Sequence, residues 1–158
     1  MGEWKSDHSG VPIQENHGIC LNFMKEKFYQ HGLQFECTGC GNCCSNNEGY
    51  VEISEEEAVA IANFLKISEA EFLKEYVTGS KDHRWELSSQ PNGDCIFLQD
   101  NRCQVYPVRP LQCRTFPFWK ENLKSAYRWK LLAGECPGIN QGKWHSREEI
   151  EAMLKLSD

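Results

Sequence analysis

Four cysteines within eight positions constrain what this chain can fold into more than any other feature of its sequence. Cys37, Cys40 and Cys43 follow the spacing C-x-x-C-x-x-C, and Cys44 comes directly after them. The glycines and asparagines around them permit tight turns that aim several sulfurs at one point. Such a loop favours ligation of one ion or cluster, and soft thiolates select zinc or iron–sulfur centres.

The adjacent pair in this box needs a separate interpretation. Neighbouring side chains of an extended chain point to opposite sides, so we expect Cys43 and Cys44 not to serve one mononuclear ion together. Cys44 then belongs to a second site, bridges two metals, or lies in the core as a small buried apolar residue.

Later cysteines are spread more widely. Cys95 and Cys103 flank a predicted hairpin around Asp100-Asn101, where about four residues of strand would separate them by roughly 13 Å. A tetrahedral zinc with bonds of about 2.3 Å cannot span that gap. Either the hairpin is irregular or the two sulfurs reach different centres. With Cys113 and Cys136, and with Cys20 set aside, eight cysteines divide into two Cys₄ sites.

Length and composition favour metal binding over disulfides as the role of these thiols. A chain of 158 residues buries enough surface to fold without covalent staples. Nine cysteines are an odd number, and residues 1–18 show no apolar segment of a secretion signal. We therefore expect a cytoplasmic protein with reduced thiols and, since no apolar run approaches a membrane span, no membrane association. Disulfides and inert core thiols are the alternatives.

The charge distribution argues against nucleic acid as a partner. The net charge is −6, whereas a nucleic-acid binder shows a basic excess. Between positions 101 and 130, however, Glu121 is the single acid among these basic residues: Arg102, Arg109, Arg114, Lys120, Lys124, Arg128 and Lys130. This stretch either balances an anionic metal–thiolate cluster or is an ordinary solvated surface.

Local signals predict a small α+β domain with several helices around an irregular, metal-organised centre and a short β-hairpin. Residues 1–18 are predicted to be a loose tail, and residues 19–158 the metal-binding domain. A first helix is expected over Ile19–His31. Strands are expected at 50–53 and 85–87.

Three further helices are predicted from their capping residues. Ser54 with Glu57, Ser68 with Glu71 and Ser146 with Glu149 have the spacing of capping boxes. The inner face of the first of these helices is predicted to carry Val59, Ala62, Phe64 and Leu65. The second is expected to end at Gly79.

The box and several later motifs together resemble a known family. Cys37-Thr38-Gly39-Cys40-Gly41-Asn42-Cys43-Cys44 resembles the C-x-x-C-x-x-C-C signature of the family called putative zinc- or iron-chelating domain. It is also known as the YkgJ-type cysteine cluster family, and its relatives include flagellin lysine N-methylase. The segments that continue the resemblance, over roughly residues 35–140, are Val51-Glu52-Ile53-Ser54, Cys95-Ile96-Phe97-Leu98, Cys103-Gln104-Val105-Tyr106, Arg109 to Phe118 and Cys136-Pro137-Gly138.

The resemblance implies a set of site residues. The implied metal ligands are Cys37, Cys40, Cys43, Cys44, Cys95, Cys103, Cys113 and Cys136, with Cys20 a free thiol on the first helix. Arg109 and Arg114 are interpreted as groups that donate to the thiolates or brace the loop between them, or else as ordinary surface ion pairs. No histidine is predicted as a ligand, since none has zinc-finger spacing: His8, His17, His31, His83 and His145. Phe116, Phe118 and Trp119 are predicted to be core or wall.

Three functions remain open on the sequence. The first is a binding protein whose cysteines hold metal for structure, storage or delivery. The second is a redox or radical enzyme built on an iron–sulfur centre. The third, by analogy with the methylase relatives, is an accessory domain of a protein lysine methylase, or a methyltransferase itself. Whether a reaction is catalysed, and which protein partner is bound, the sequence leaves open.

Overall fold

Two clusters of buried apolar side chains organise the chain, and the cysteines lie between them. A computed structural model describes residues 26–45, 50–81 and 84–157. The fold is mixed α+β, which confirms the predicted class. The helices of the described ranges are α1 (Glu55–Leu65), α2 (Glu69–Tyr76), α3 (Leu111–Thr115), α4 (Ala126–Glu135) and α5 (Arg147–Leu156). The strands are β1 (Leu33–Phe35), β2 (Glu52–Ile53), β3 (Val77–Lys81), β4 (Arg84–Leu87), β5 (Leu98–Gln99), β6 (Arg102–Cys103) and β7 (Ile139–His145).

The strands form three small antiparallel sheets. β4 lies between β2 and β3, β5 pairs with β6, and β1 pairs with β7. The β1–β7 pair joins the two ends of the described chain, with Leu33 opposite His145 and Phe35 opposite Ile139. A bulge between Gln34 and Phe35 shifts the register of this pair. The sheets are therefore short frames around the loops that carry the cysteines.

Side-chain caps start the helices where the sequence predicts them. Ser54 and Glu57 form a complete capping box at α1, and Ser146 and Glu149 form another at α5. At α2 the Ser68 hydroxyl accepts a hydrogen bond from the backbone N–H of Glu71. These caps satisfy N–H groups that the first helical turn leaves without a partner.

The first apolar cluster joins α1 and α2 to the three-stranded sheet. Its buried members are Ile53, Ala58, Ile61, Ala62, Phe72, Leu87, Phe97 and Val105. The predicted inner face of α1 was partly wrong, because Ala58, Ile61 and Ala62 are buried while Val59 and Phe64 are exposed. The buried positions follow the i, i+3, i+4 spacing of one helical face, and Val59 falls beside that face.

The second apolar cluster joins α4, α5 and the β1–β7 pair. Its buried members are Tyr29, Phe118, Leu123, Trp129, Ile139 and Ile150. The rings of Phe118 and Trp129 stack with centroids 5.8 Å apart, and Phe35 meets Phe118 edge to face at 5.9 Å. Phe118 is therefore core, as predicted.

The short hairpin is confirmed. Leu98 pairs with Cys103 and Gln99 with Arg102. Asp100 and Asn101 connect them with positive φ angles of 49° and 59°. Two successive positive φ angles are typical of the tight turns that match the right-handed twist of a hairpin.

Other sequence predictions fail or cannot be compared. The second helix does not run to Gly79, because α2 ends at Tyr76 and β3 begins at once and pairs with β4. The helix predicted over 19–31 lies mostly outside the described residues, and its last part, 28–31, forms a turn. The predicted tail, 1–18, and Cys20 also lie outside them. Within the described ranges, no helix has the length and apolar character needed to cross a membrane.

Candidate metal centre

The cysteine box turns as a short 3₁₀ helix, and this brings two adjacent sulfurs together. Asn42–Cys44 form the turn, with Gly41 in the left-handed region at φ 78° as its N-cap. The sulfurs of Cys43 and Cys44 lie 3.8 Å apart. Our expectation that these neighbours diverge was therefore wrong. It assumed extended backbone, whereas successive side chains of a 3₁₀ helix are only a third of a turn apart.

This sulfur separation matches the geometry of a metal site. Two sulfurs on one tetrahedral zinc, each about 2.3 Å from the metal, are separated by roughly 3.8 Å. Adjacent cysteines in this turn can thus contact one ion or cluster.

The backbone ties the box directly to the second group of cysteines. The N–H of Cys95 donates to the carbonyl oxygen of Cys44 over 2.8 Å. The chain then turns at 96–97, where the N–H of Leu98 donates to the carbonyl oxygen of Cys95. Cys95 therefore precedes the regular hairpin instead of lying in it. This turn removes the large separation from Cys103 that a continuous ladder would impose.

Cys113 is positioned by hydrogen bonds that α3 makes to the first half of the chain. The carboxylate of Glu57, already part of the α1 capping box, also accepts a hydrogen bond from the N–H of Leu111. Gln112 accepts from the N–H of Glu52 and donates to the carbonyl oxygen of Tyr50. Both ends of the Gln112 amide are thus used. These contacts dock α3, and with it the Cys113 thiol, against β2 and the start of α1.

Cys136 lies at the C-terminal end of α4, close to the box. Its backbone N–H donates to the carbonyl oxygen of Leu132. The Asn42 side-chain amide donates to the carbonyl oxygen of Glu135 over 2.8 Å, which links the box to this end of the helix. Burial raises the pKa of Cys136, and the charges of Cys40 and Cys43 add to this effect.

Six of the eight predicted cysteines line one cavity of about 90 Å³. They are Cys37, Cys43, Cys44, Cys95, Cys103 and Cys113. Apolar side chains form much of the rest of its wall. The first cluster contributes Leu87, Phe97 and Val105, and Phe35, which packs against the second cluster, adds its ring. Cys136 lines a neighbouring larger cavity together with Cys43 and Cys113. The structure thus brings together sulfurs that are up to 76 positions apart in sequence (113 − 37).

Contacts among the sulfurs shift the pKa values of several thiols. Hydrogen bonding with Cys44 lowers the pKa of Cys43 to about 7 and that of Cys95 to about 7. The same two contacts raise the pKa of Cys44. Burial raises the pKa of Cys113 to about 12. Two of these thiols are therefore deprotonated readily near neutral pH, which is the form that binds metal.

The two arginines predicted for this site have different surroundings. The Arg109 guanidinium lies 3.9 Å from the ring centroid of Tyr106 and donates to the Tyr106 carbonyl oxygen. Tyr106 in turn has its pKa raised, first by a hydrogen bond with Cys37. Arg114 is half exposed and pairs with Glu57 at 3.8 Å. Both line the cysteine cavity, and Arg114 also braces α3.

Several positioning residues were not predicted from the sequence. Glu57 was interpreted only as a helix cap, although it also holds α3. Gln112 lay inside a quoted motif but no role was assigned to it. Asn42 was treated as a turn residue. Their contacts join segments about 50 to 90 residues apart, so only their polar character inside cysteine-rich motifs could have indicated them.

The described histidines contact other groups. His145 forms a hydrogen bond with the carbonyl oxygen of Phe35 at 3.0 Å and packs against the ring of Phe118. His31 is exposed on the turn before β1. His8, His17 and His83 lie outside the described residues.

The donor set fits a soft metal, although the ligands are not gathered around one point. None of the eight described cysteines is joined to another in a disulfide. Within 26–45, 50–81 and 84–157, no three cysteine, histidine or carboxylate side chains converge at the spacing of a metal ion. The fit therefore rests on six thiols around one cavity and on the Cys43–Cys44 separation. Thiolates of this kind bind zinc, copper(I) or iron–sulfur centres.

Comparisons with known proteins identify one family. Residues 36–137 match the family described as "Putative zinc- or iron-chelating domain". The chain is also similar to "Uncharacterized protein MJ0661" of Methanocaldococcus jannaschii, with 35% identity over 105 residues. That alignment covers 64% of this chain and 55% of the relative, so the chain spans about half of the relative's length. No solved structure matches. Since the matched segment contains all eight cysteines of the site, the chain belongs to the family of putative zinc- or iron-chelating domains.

Proposed function

We propose that this protein holds zinc or an iron–sulfur centre through the thiolates of up to eight cysteines. The proposed ligands are Cys37, Cys40, Cys43, Cys44, Cys95, Cys103, Cys113 and Cys136. The observation that carries the proposal is the cavity that six of them line. The family description, zinc or iron chelation, agrees with it.

The surroundings of the cavity support tight metal binding. Apolar side chains from both clusters form much of its wall. In such surroundings a group of neighbouring thiolates repels itself strongly, and a bound cation relieves this repulsion. The raised pKa of Cys113, due first to burial and then to neighbouring sulfurs, reports the same repulsion.

Arg109 complements the charge of such a centre. Its guanidinium lies on the cavity wall, and its charge lowers the pKa of Cys43 after the larger effect of the Cys44 hydrogen bond. We propose that Arg109 balances the negative charge of the metal–thiolate group. Arg114 has a bracing role through Glu57.

The remaining features of the proposal follow from this chemistry. The proposed metal-binding domain lies within residues 19–158. A cytoplasmic location keeps the thiols reduced and available to the metal. A zinc ion held by four thiolates supplies structural stability, whereas an iron–sulfur centre supplies electron transfer.

Anaerobic purification followed by metal analysis and an optical spectrum tests the proposal. We expect zinc or iron in stoichiometric amount. A colourless protein with zinc assigns a structural, storage or delivery role. Visible absorbance that dithionite bleaches assigns an iron–sulfur centre. A protein that binds neither metal after reconstitution, with its cysteines joined in disulfides, would contradict the proposal.

A further inference from the structure

A larger cavity, of about 300 Å³, adjoins the cysteine cavity. Of the proposed metal ligands, Cys43 and Cys113 line both cavities, and Cys136 lines only the larger one. Its volume falls at the lower end of the range of small-molecule pockets, roughly 300–1,000 Å³. The cavity is therefore large enough for a ring with a short substituent.

The wall of this cavity is largely apolar. Tyr50, Phe116 and Trp119 contribute aromatic rings, and Val51 and Leu132 contribute aliphatic side chains. Phe116 and Trp119 meet edge to face with centroids 5.2 Å apart, which fixes their relative orientation. A ligand must accordingly present an apolar body to these side chains.

Two polar side chains of the cavity each use one N–H group within the protein. The Asn42 amide donates to the carbonyl oxygen of Glu135, and the Asn122 amide donates to that of Pro117 over 2.9 Å. The oxygens of these two amides are hydrogen-bond acceptors that a ligand in the cavity can use.

The other two polar groups of the wall are used in the same way. The Gln112 amide donates to the carbonyl oxygen of Tyr50, and its oxygen accepts from Glu52. The indole N–H of Trp119 donates to the carbonyl oxygen of Gln112 and to Thr115. The indole N–H and the Gln112 oxygen are therefore used within the protein, whereas the oxygens of Asn42 and Asn122 offer acceptors to a ligand that brings a donor.

The charge of the cavity has one sign. Its described lining contains the exposed carboxylate of Glu135 and three cysteines, and no lysine, arginine or histidine. Arg109 and Arg114 line the smaller cavity instead. An anionic ligand would therefore meet no counter-charge in the larger one, whereas a cation would be attracted by the Glu135 carboxylate.

We infer that this cavity binds a small organic amine in its protonated form, with an aromatic or aliphatic body. The ammonium group donates to the Asn42 and Asn122 oxygens and faces the Glu135 carboxylate. The body packs against the rings of Phe116 and Trp119. Aromatic faces add further attraction for a cation. The groups that hold the amine are not proposed metal ligands, although Cys43, Cys113 and Cys136 of the proposed metal site form part of the cavity wall.

Calorimetric titration of the purified, metal-loaded protein tests the inference. The two probes are benzylammonium and phenylacetate, which share a ring and similar size but differ in charge. We expect benzylammonium to bind at least about tenfold more tightly, a difference of about 1.4 kcal/mol. Equal binding of the two, tighter binding of phenylacetate, or binding of neither overturns the inference.

Two variants on α4 locate the site. Leu132→Trp fills the cavity and is expected to weaken benzylammonium binding by about tenfold or more. Leu131→Trp is the matched control, because Leu131 is 47% exposed and does not line the cavity. Equal loss in both variants, or in neither, contradicts this location.

A third variant tests the charge. Glu135→Gln keeps the backbone carbonyl that Asn42 contacts and removes the negative charge. We expect roughly fivefold weaker binding of benzylammonium. Unchanged affinity excludes the carboxylate as its counter-charge. Metal content is measured on every sample, so failure of the metal proposal and failure of this one give different results.

Discussion

The backbone N–H of Cys95 donates a 2.8 Å hydrogen bond to the carbonyl oxygen of Cys44, and this contact joins two cysteine groups 51 positions apart. Through it the 3₁₀ turn of the box and the segment before the hairpin share one cavity. Both groups of this hydrogen bond belong to the backbone, so it requires no particular side chain at either position.

Cys113→Ser is expected to lower metal content and solubility. Cys113 lies on both cavities, and its replacement removes a thiolate from the centre of the proposed set. Cys20→Ser, outside the proposed set, should leave the stoichiometry intact. Metal analysis of both purified variants measures the difference. Equal metal loss in the two variants would mean that the ligand set is drawn wrongly.

Removal of the metal is expected to unfold the region between the two apolar clusters. Metal binding that is coupled to folding makes the apo form unstable. A strong chelator should therefore reduce the far-ultraviolet circular dichroism signal and lower the melting temperature, and added metal should restore both. A melting temperature that is identical with and without metal would contradict this coupling.

Glu57→Ala is expected to cost about 2 kcal/mol of unfolding free energy, because the side chain caps α1 and also accepts from Leu111. Urea denaturation of the metal-loaded protein measures this change. Glu56→Ala is the control on the same turn. The Glu56 carboxylate is fully exposed and bonds to the Ser54 hydroxyl and to its own backbone, so little change is expected.

Gly41→Ala and Gly134→Ala should shift stability in opposite directions. Gly41 has φ 78°, and an added Cβ would lie 2.6 Å from the carbonyl oxygen of Asn101. We expect its replacement to cost about 1–3 kcal/mol. Gly134 lies within α4 with open space around it, so alanine should stabilise by roughly 0.5–1 kcal/mol. Thermal unfolding of both variants measures the direction of each change in stability. A Gly41→Ala variant that melts at the same temperature as the unchanged protein would contradict the close packing at Gly41.

Arg109→Ala is expected to weaken metal binding by about tenfold, as the loss of a charge beside a metal centre typically does. Competition with a chromophoric chelator measures the affinity. Arg102→Ala is the matched control, because Arg102 is an exposed arginine on β6 and does not line the cysteine cavity. Equal metal affinities of the two variants would mean that Arg109 does not balance the charge of the metal centre and that its role is the contact with Tyr106.

Elements with a local signal were predictable from the sequence. The capping serines Ser54, Ser68 and Ser146 start helices because their hydroxyls satisfy N–H groups three residues away. The hairpin at Asp100-Asn101 forms because both residues tolerate positive φ. In each case the interacting atoms are separated by only a few residues.

Elements that depend on distant partners were missed or placed wrongly. β7 has mostly exposed side chains and forms because β1, more than 100 positions earlier, pairs with it. α4 buries only Trp129 completely, so its sequence gives a weak helical pattern. α2 ends at Tyr76 and β3 begins at the next residue, because β4 supplies hydrogen-bonding partners there. Tertiary pairing overrides local preference at such positions.

The sequence by itself determined the family, the mixed fold class, the helix starts and the identity of the thiols, since these depend on residue type and short spacing. Only the tertiary structure decided that Cys43 and Cys44 lie side by side and that six cysteines line one cavity. It also decided that the adjoining cavity has no basic side chain in its described lining. The physical reason is that sulfur positions depend on backbone turns and on the hydrogen bonds of Glu57, Gln112 and Asn42. Those bonds connect segments that are far apart along the chain, and no short sequence pattern predicts such contacts.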